Sequence, residues 1–212
     1  MAGQVICVSQ QKGGSGKTTV SAHLAVALAL ADGEPVALLD IDPQGSLGEW
    51  FEAREELMGE EAAGFEFRTA SGWGARREAR NLARHNAFVI VDTPPKSESD
   101  LRPAIEASDL LIVPIQPSPV DLWATRPTLE LAEKERKPSL LVMNRVPPRA
   151  SLTEEVAEAI KDLPSQVATT RLGNRTAFAA AMGAGQSVQE REPRGKAAEE
   201  IAALVLEIRS LL

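Results

Sequence analysis

The residues whose types and spacing most clearly suggest a chemical role lie in a glycine-rich segment near the start of the chain. The segment follows a strand-like apolar run and opens a helix-like one, which is the context that a phosphate-binding loop requires. Its glycines let backbone N–H groups turn toward phosphate oxygens, and the helix start adds the positive end of its dipole. We expect Lys17 to reach the β- and γ-phosphates of a nucleotide and the Thr18 hydroxyl to ligate Mg²⁺. The predicted nucleotide-binding residues here are Lys12, Gly13, Gly14, Ser15, Gly16, Lys17, Thr18 and Thr19.

Aspartate residues stand at the C-terminal ends of two other strand-like runs. Asp40 and Asp42 end the second run, and Asp92 follows the four apolar residues Phe88–Val91. In a doubly wound sheet, ligands bind at the carboxyl ends of the strands, so these carboxylates are expected beside the nucleotide. Four apolar residues followed by Asp are typical of a Walker B strand, whose carboxylate usually holds Mg²⁺ through water.

Strand-like and helix-like segments alternate along the whole chain. Several strand-like runs, such as Val36–Leu39, are apolar on successive residues, which indicates burial on both faces. This pattern predicts an α/β fold with a doubly wound, mostly parallel sheet and helices on both faces. A length of 212 residues suits one domain, so we expect residues 1–212 to form a single one.

Composition excludes some classes of protein and leaves others open. No apolar run approaches the roughly 20 residues of a membrane span, and the start of the chain does not read as a signal peptide. The single cysteine, Cys7, excludes an intrachain disulfide and favours a reduced, cytoplasmic setting. A net charge of −7 argues against a strongly basic nucleic-acid binder but leaves room for a local basic patch.

Together the motifs resemble those of the ParA/MinD family of P-loop ATPases. K-G-G-x-G-K-T at Lys12–Thr18 is similar to its deviant Walker A motif, D-x-D-P-Q from Asp40 to its switch I, and D-T-P-P from Asp92 to its switch II. The resemblance implies ATP and Mg²⁺ as cofactors, with Thr18, Asp40 and Asp92 around the metal. It implies Lys12, Lys17 and Asp42 as catalytic residues, with Asp42 orienting the attacking water.

The second lysine has a specific implied role. In the family, the lysine that corresponds to Lys12 crosses a dimer interface to the partner's nucleotide. A loop that already contains Lys17 gains little from another cation on the same phosphates. A cation that arrives only on dimerisation would stabilise transition-state charge as an arginine finger does. We therefore expect an ATP-dependent homodimer.

Asn144 follows another strand-like run, at the point where the family places an Asn against the adenine base. Its amide can donate to and accept from a purine edge. An Asn after a strand is also common in turns, so both interpretations stay open.

The resemblance favours a small ParA-type protein, since only about ten residues precede the loop and a long DNA-binding extension is not expected. It implies a cytoplasmic, nucleoid-associated ATPase whose dimer binds DNA nonspecifically. The resemblance also implies slow hydrolysis that a ParB-like or adaptor protein stimulates, with a plasmid, a chromosome or a protein cluster as the cargo. The predicted DNA-binding residues are Arg149, Arg171, Arg175, Arg194 and Lys196.

Two alternatives remain open at this point. One is a MinD-like ATPase on a membrane, which the acidic C-terminal helix disfavours because anionic lipid would repel it. The other is a metabolic P-loop enzyme, a ligase or kinase, that would not need Lys12.

Overall fold

Seven parallel strands form the sheet in the computed structural model of the chain, which describes residues 2–59, 64–95, 98–148 and 151–212. The strand order is β3-β2-β4-β1-β5-β6-β7, which places β1 at the centre. The strands are β1 (Gln4–Val8), β2 (Val36–Asp40), β3 (Phe65–Thr69), β4 (Phe88–Asp92), β5 (Leu110–Ile115), β6 (Ser139–Met143) and β7 (Gln166–Val167).

Helices cover both faces of this sheet. They are α1 (Lys17–Asp32), α2 (Ser46–Met58), α3 (Ala75–Leu82), α4 (Glu98–Ala107), α5 (Pro119–Lys134), α6 (Ser151–Ala159), α7 (Thr176–Met182), α8 (Val188–Arg191) and α9 (Lys196–Leu211). A short 3₁₀ turn, Gly72–Gly74, precedes α3. The predicted α/β architecture is thus confirmed, whereas α8 was not predicted, because four residues are too few to show a helical period.

Two apolar cores lie on opposite sides of the strands. Ile6 and Val8 of β1 point into the core beneath α1, α2, α7, α8 and α9. Val5 and Cys7 point into the core beneath α3, α4, α5 and α6. Burial raises the pKa of the Cys7 thiol, since ionisation would place a charge in the centre of the sheet. The continuous apolar runs of the sequence follow from this two-sided burial.

Strand register brings the predicted site residues to one edge. Val8 pairs with Asp92, and Asp40 pairs with Asp92 from the other side. The loop after β1, the carboxylates after β2 and β4, and Asn144 after β6 therefore lie at the carboxyl edge of the sheet. Within the described ranges, no helix is long and apolar enough to cross a membrane.

Candidate nucleotide-binding site

The glycine-rich loop connects β1 to α1 and leaves the start of that helix open. Gly14 and Gly16 have φ values of 76° and 93°, in the left-handed region that favours glycine. No side chain caps the N-terminus of α1, and its first turn contains no acidic residue. The Ser15 hydroxyl is buried and has no hydrogen-bond partner among the described residues. These unused donors fit the phosphate oxygens of a nucleotide.

Lys17 lies in the cleft that this loop borders. The cleft has a volume of about 450 Å³, and its lining includes Gly14, Lys17, Thr18 and Asp42. The Lys17 side chain is largely buried, which lowers its pKa, while the carboxylates of Asp92 and Asp42 act in the opposite direction. An ammonium group held in a partly dry cleft interacts strongly with an anionic ligand.

Thr18 and Asp92 form a pair of oxygen donors next to this lysine. The Thr18 hydroxyl donates to Asp92 Oδ2 at 2.7 Å, and the Ser21 hydroxyl donates to Asp92 Oδ1 at 2.9 Å. Burial raises the pKa of Asp92 to about 7, and these hydrogen bonds act against that rise. A hydroxyl beside a carboxylate that lacks a full counter-charge is the donor set that Mg²⁺ prefers, so these residues fit the predicted metal.

Asp40 and Asp42 occupy different positions although they are two residues apart. The buried Asp40 carboxylate accepts the backbone N–H groups of Asp42 at 2.9 Å and Gly48 at 3.3 Å. It therefore holds the loop between β2 and α2. Asp42 is only half-buried and lines the cleft that contains Lys17, so its carboxylate can face a ligand there.

Lys12 does not line that cleft. Its ammonium group forms an ion pair with Asp121, near the start of α5, and its side chain keeps 33% exposure while that of Asp121 has 1%. Two more hydrogen bonds join the loop region to the same segment: Gln10 Nε2 donates to Thr125 Oγ1 at 2.8 Å, and Gln116 Nε2 donates to the Gly14 carbonyl at 2.7 Å. One ion pair and two hydrogen bonds thus connect the first half of the loop to the segment that runs from the end of β5 into the first turns of α5.

Asn144 supports the loop from the other side. Its Nδ2 donates to the Ser15 carbonyl at 2.8 Å, and its Oδ1 accepts the Arg145 N–H at 2.9 Å. Gly16 allows this contact, because a Cβ there would lie 2.3 Å from Asn144 Nδ2. Asn144 also lines a second cleft of about 330 Å³ with Arg145 and Phe178. Its predicted contact with adenine therefore stays a prediction.

The predicted DNA-binding residues are mostly paired with carboxylates of the chain. Arg171 bonds Glu154 at 2.5 Å, and Arg175 bonds Glu200 at 2.5 Å. Lys196 lies 3.5 Å from Glu199, and Arg194 is exposed without an ion pair in the described structure. Arg149 lies outside the described residues. These pairs join largely exposed side chains, so DNA binding through the predicted residues stays a prediction.

Residues 6–188 match the model of the family described as CobQ/CobB/MinD/ParA nucleotide binding domain. The chain belongs to this family. The protein named maintenance of carboxysome distribution protein A from Halothiobacillus neapolitanus is 32% identical, with 96% of this chain and 95% of that protein covered.

Two solved structures share the fold. The cell division ATPase MinD of Pyrococcus furiosus superposes with a TM-score of 0.82 at 22% identity, with 99% of this chain and 100% of that chain covered. The MinD structure with Mg-ADP from Pyrococcus horikoshii has a TM-score of 0.80 at 19% identity, covering 97% of this chain and 95% of that chain. The predicted cofactors, ATP and Mg²⁺, agree with the ligand of the second structure.

Family motifs did not predict several residues near the site. Asp121 and Gln116 follow β5 at the same sheet edge as the loop, and this position is a signal that could have identified them. Arg145 has a φ of 50° and lines both clefts. The left-handed backbone of a residue other than glycine cannot be predicted from the residue type.

Proposed function

We propose that the chain is a positioning ATPase that binds ATP with Mg²⁺, closes into a homodimer and is released by hydrolysis. The observation that carries this proposal is the position of Lys12. It borders the nucleotide-binding loop, yet it does not line the cleft that holds Lys17. A lysine outside that cleft can serve the phosphates of a facing subunit once it leaves its ion pair with Asp121.

The residues of the cleft support hydrolysis. Lys17 and the free N–H groups at the start of α1 hold the β- and γ-phosphates, and Thr18 and Asp92 hold the metal. When bound, Mg²⁺ would neutralise charge on the transferred phosphoryl group. Asp42, at the rim, orients a water molecule for in-line attack. Lys12 of the facing subunit completes the site by stabilising the charge that develops.

The ATP-bound dimer binds DNA nonspecifically in this proposal, and a partner protein stimulates hydrolysis where the cargo lies. The named role of the Halothiobacillus relative supports a large protein body as the cargo. The terminal helix gives no support to a membrane role, since Ile201, Leu204 and Ile208 of α9 are buried in the core.

The test compares Lys12→Ala with Lys134→Ala, which removes an exposed lysine elsewhere on the surface. With ATP and Mg²⁺, we expect the parent and the control to form dimers in light scattering. We expect Lys12→Ala to remain monomeric, to lose ATPase activity and to keep binding nucleotide. A Lys12→Ala variant that dimerises and turns over like the parent would falsify the proposal. Co-sedimentation with DNA or with liposomes then separates the nucleoid role from a membrane role.

A further inference from the structure

Helix α3 presents three exposed arginines along one face. Arg77, Arg80 and Arg84 follow one another at intervals of three and four residues, the spacing of one helix face continued into the turn after α3. The opposite face packs Ala75, Ala79 and Leu82 into the core. Because this packed face fixes the position of α3, the three guanidinium groups are held on the solvent side of the helix.

Within the described residues, carboxylates of the chain do not neutralise this face. The neighbouring Arg76 is paired with Glu106 at 3.2 Å, whereas Arg77, Arg80 and Arg84 have no ion pair in the part of the chain that the structure describes. Segment 72–86 contains four arginines and one carboxylate, in a chain with a net charge of −7. In the same described part, five other exposed arginines have no ion pair: Arg126, Arg136, Arg145, Arg191 and Arg194. No three of these lie on one helix or strand.

Trp73 extends the same line at the end nearest the nucleotide site. It lies four residues before Arg77 and is 86% exposed. It also lines a cleft of about 770 Å³ together with Asp40, Asp42 and Pro94. One end of this basic stripe, defined as Trp73, Arg77, Arg80 and Arg84, therefore borders the loops that follow β2 and β4.

We propose that the basic stripe binds the phosphate backbone of duplex DNA. This inference rests on the proposed function and names the surface through which the ATP-bound protein holds DNA. At about 1.5 Å per residue, Arg77 and Arg84 lie about 10 Å apart along the helix axis. That length covers about three phosphates of one strand, at about 3.4 Å each. Guanidinium groups donate two hydrogen bonds to one phosphate, which suits this contact.

Anionic lipid fits the stripe less well. A helix that binds a membrane surface inserts an apolar face between lipid headgroups. The apolar face of α3 is buried in the protein core, and only Trp73 remains to insert. The exposed side of α3 therefore offers mainly the positive charge of its arginines, which is complementary to a polyanion such as DNA.

The experiment measures duplex binding by fluorescence anisotropy with an ATP analogue and Mg²⁺ over a range of salt concentrations. It compares the parent with Arg77→Ala/Arg80→Ala/Arg84→Ala and with Arg171→Ala/Arg175→Ala/Arg194→Ala, which removes the same charge elsewhere. For the stripe variant we expect at least about tenfold weaker binding at 0.1 M salt and a logarithmic salt slope smaller by about 2.7 for each subunit that contacts the duplex. We expect less change in the control and retained ATP-dependent dimerisation in both.

The outcomes separate the two proposals. If the parent binds DNA and the stripe variant binds equally well, the stripe proposal fails while the proposed function stands. If the parent binds no DNA, the stripe proposal and the nucleoid role both fail, whereas the ATP-dependent dimer is tested separately by Lys12→Ala. If the stripe variant loses binding to phosphatidylglycerol vesicles but not to DNA, the occupant is a membrane and the proposal is overturned. Arg77→Lys/Arg80→Lys/Arg84→Lys keeps the charges and should recover most of the DNA affinity.

Trp73 supplies an independent measurement. In a Trp123→Phe background the remaining tryptophans are Trp73 and Trp50, and Trp50 is only 3% exposed. We expect DNA to lower the acrylamide quenching of Trp73 at least about twofold by covering it. Unchanged quenching at saturating DNA would place the contact surface elsewhere.

Discussion

Lys12 and Asp121 form an ion pair within one subunit, between the glycine-rich loop and the start of α5. Asp121 is fully buried, and its carboxylate also accepts the Ser118 hydroxyl at 2.5 Å. If Lys12 turns toward a facing subunit, it leaves a buried carboxylate without its counter-charge, which costs about 3 kcal/mol or more. In the proposed dimer, loss of this ion pair would therefore oppose closure until ATP compensates for it.

Asp121→Asn is expected to favour the dimer, because the amide keeps the shape of the side chain but releases Lys12. We expect the protein concentration at half-dimerisation with ATP to fall at least about 100-fold, as a gain of about 3 kcal/mol would produce. Analytical ultracentrifugation measures this change. Asp162→Asn, at an exposed carboxylate, is the control. A weaker dimer in Asp121→Asn would mean that Asp121 supports the closed state instead.

Asp42→Ala is expected to separate binding from hydrolysis. Loss of the group that orients water should lower kcat by about 100-fold or more. The phosphate-binding loop is untouched, so nucleotide affinity and the ATP-bound dimer should persist. Single-turnover hydrolysis and equilibrium binding provide the two readouts, with Gln44→Ala as the control in the same loop. Equal loss of nucleotide binding and hydrolysis would contradict the assigned role.

Arg54→Met should destabilise the fold through Glu190. The two side chains are joined at 2.6 Å with exposures of 5% and 15%, and Arg54 also donates to the Gly185 carbonyl at 3.1 Å. Removal of the guanidinium leaves Glu190 poorly solvated and unpaired, at a cost of about 3–5 kcal/mol. Urea unfolding should show less loss when Glu190→Gln is added. If the double variant is as unstable as the sum of the single variants, the two residues do not act as a pair.

His23 is expected to make stability depend on pH. Burial lowers its pKa to about 4, and neither ring nitrogen has a hydrogen-bond partner among the described residues. The unfolded chain takes up this proton near pH 6.5 and the folded chain does not, so stability falls as pH decreases between these values. From pH 7 to pH 5 the contribution of His23 is a loss of about 2 kcal/mol. Urea unfolding of His23→Leu should show a shallower pH dependence, with the exposed His85→Gln as the control.

The sequence predicted the parts of the protein that depend on local patterns. Apolar runs located the strands, and motif spacing placed Lys17, Thr18 and Asp92 at one sheet edge, where the structure has them. This success has a physical cause, since a buried parallel strand must be apolar throughout and its carboxyl end must meet the loops of its neighbours.

Contacts between distant segments could not be predicted in this way. Lys12 and Asp121 are separated by 109 residues, and nothing in either segment specifies the other. The bonds of Arg171 to Glu154 and Arg175 to Glu200 likewise depend on how α6 and α9 pack. The sequence alone therefore cannot show which of the predicted DNA-binding arginines already have a partner within the chain.

The position of Cys7 makes the natural chain suitable for site-specific labelling. Its thiol is buried in the central strand between two helix layers, with 0% exposure and a raised pKa, so maleimide reagents should not reach it while the protein is folded. A cysteine introduced at an exposed position away from α3, for example at Glu155 of α6, would then be the one thiol open to a dye. Attachment and release on DNA could be followed optically without first removing a native residue.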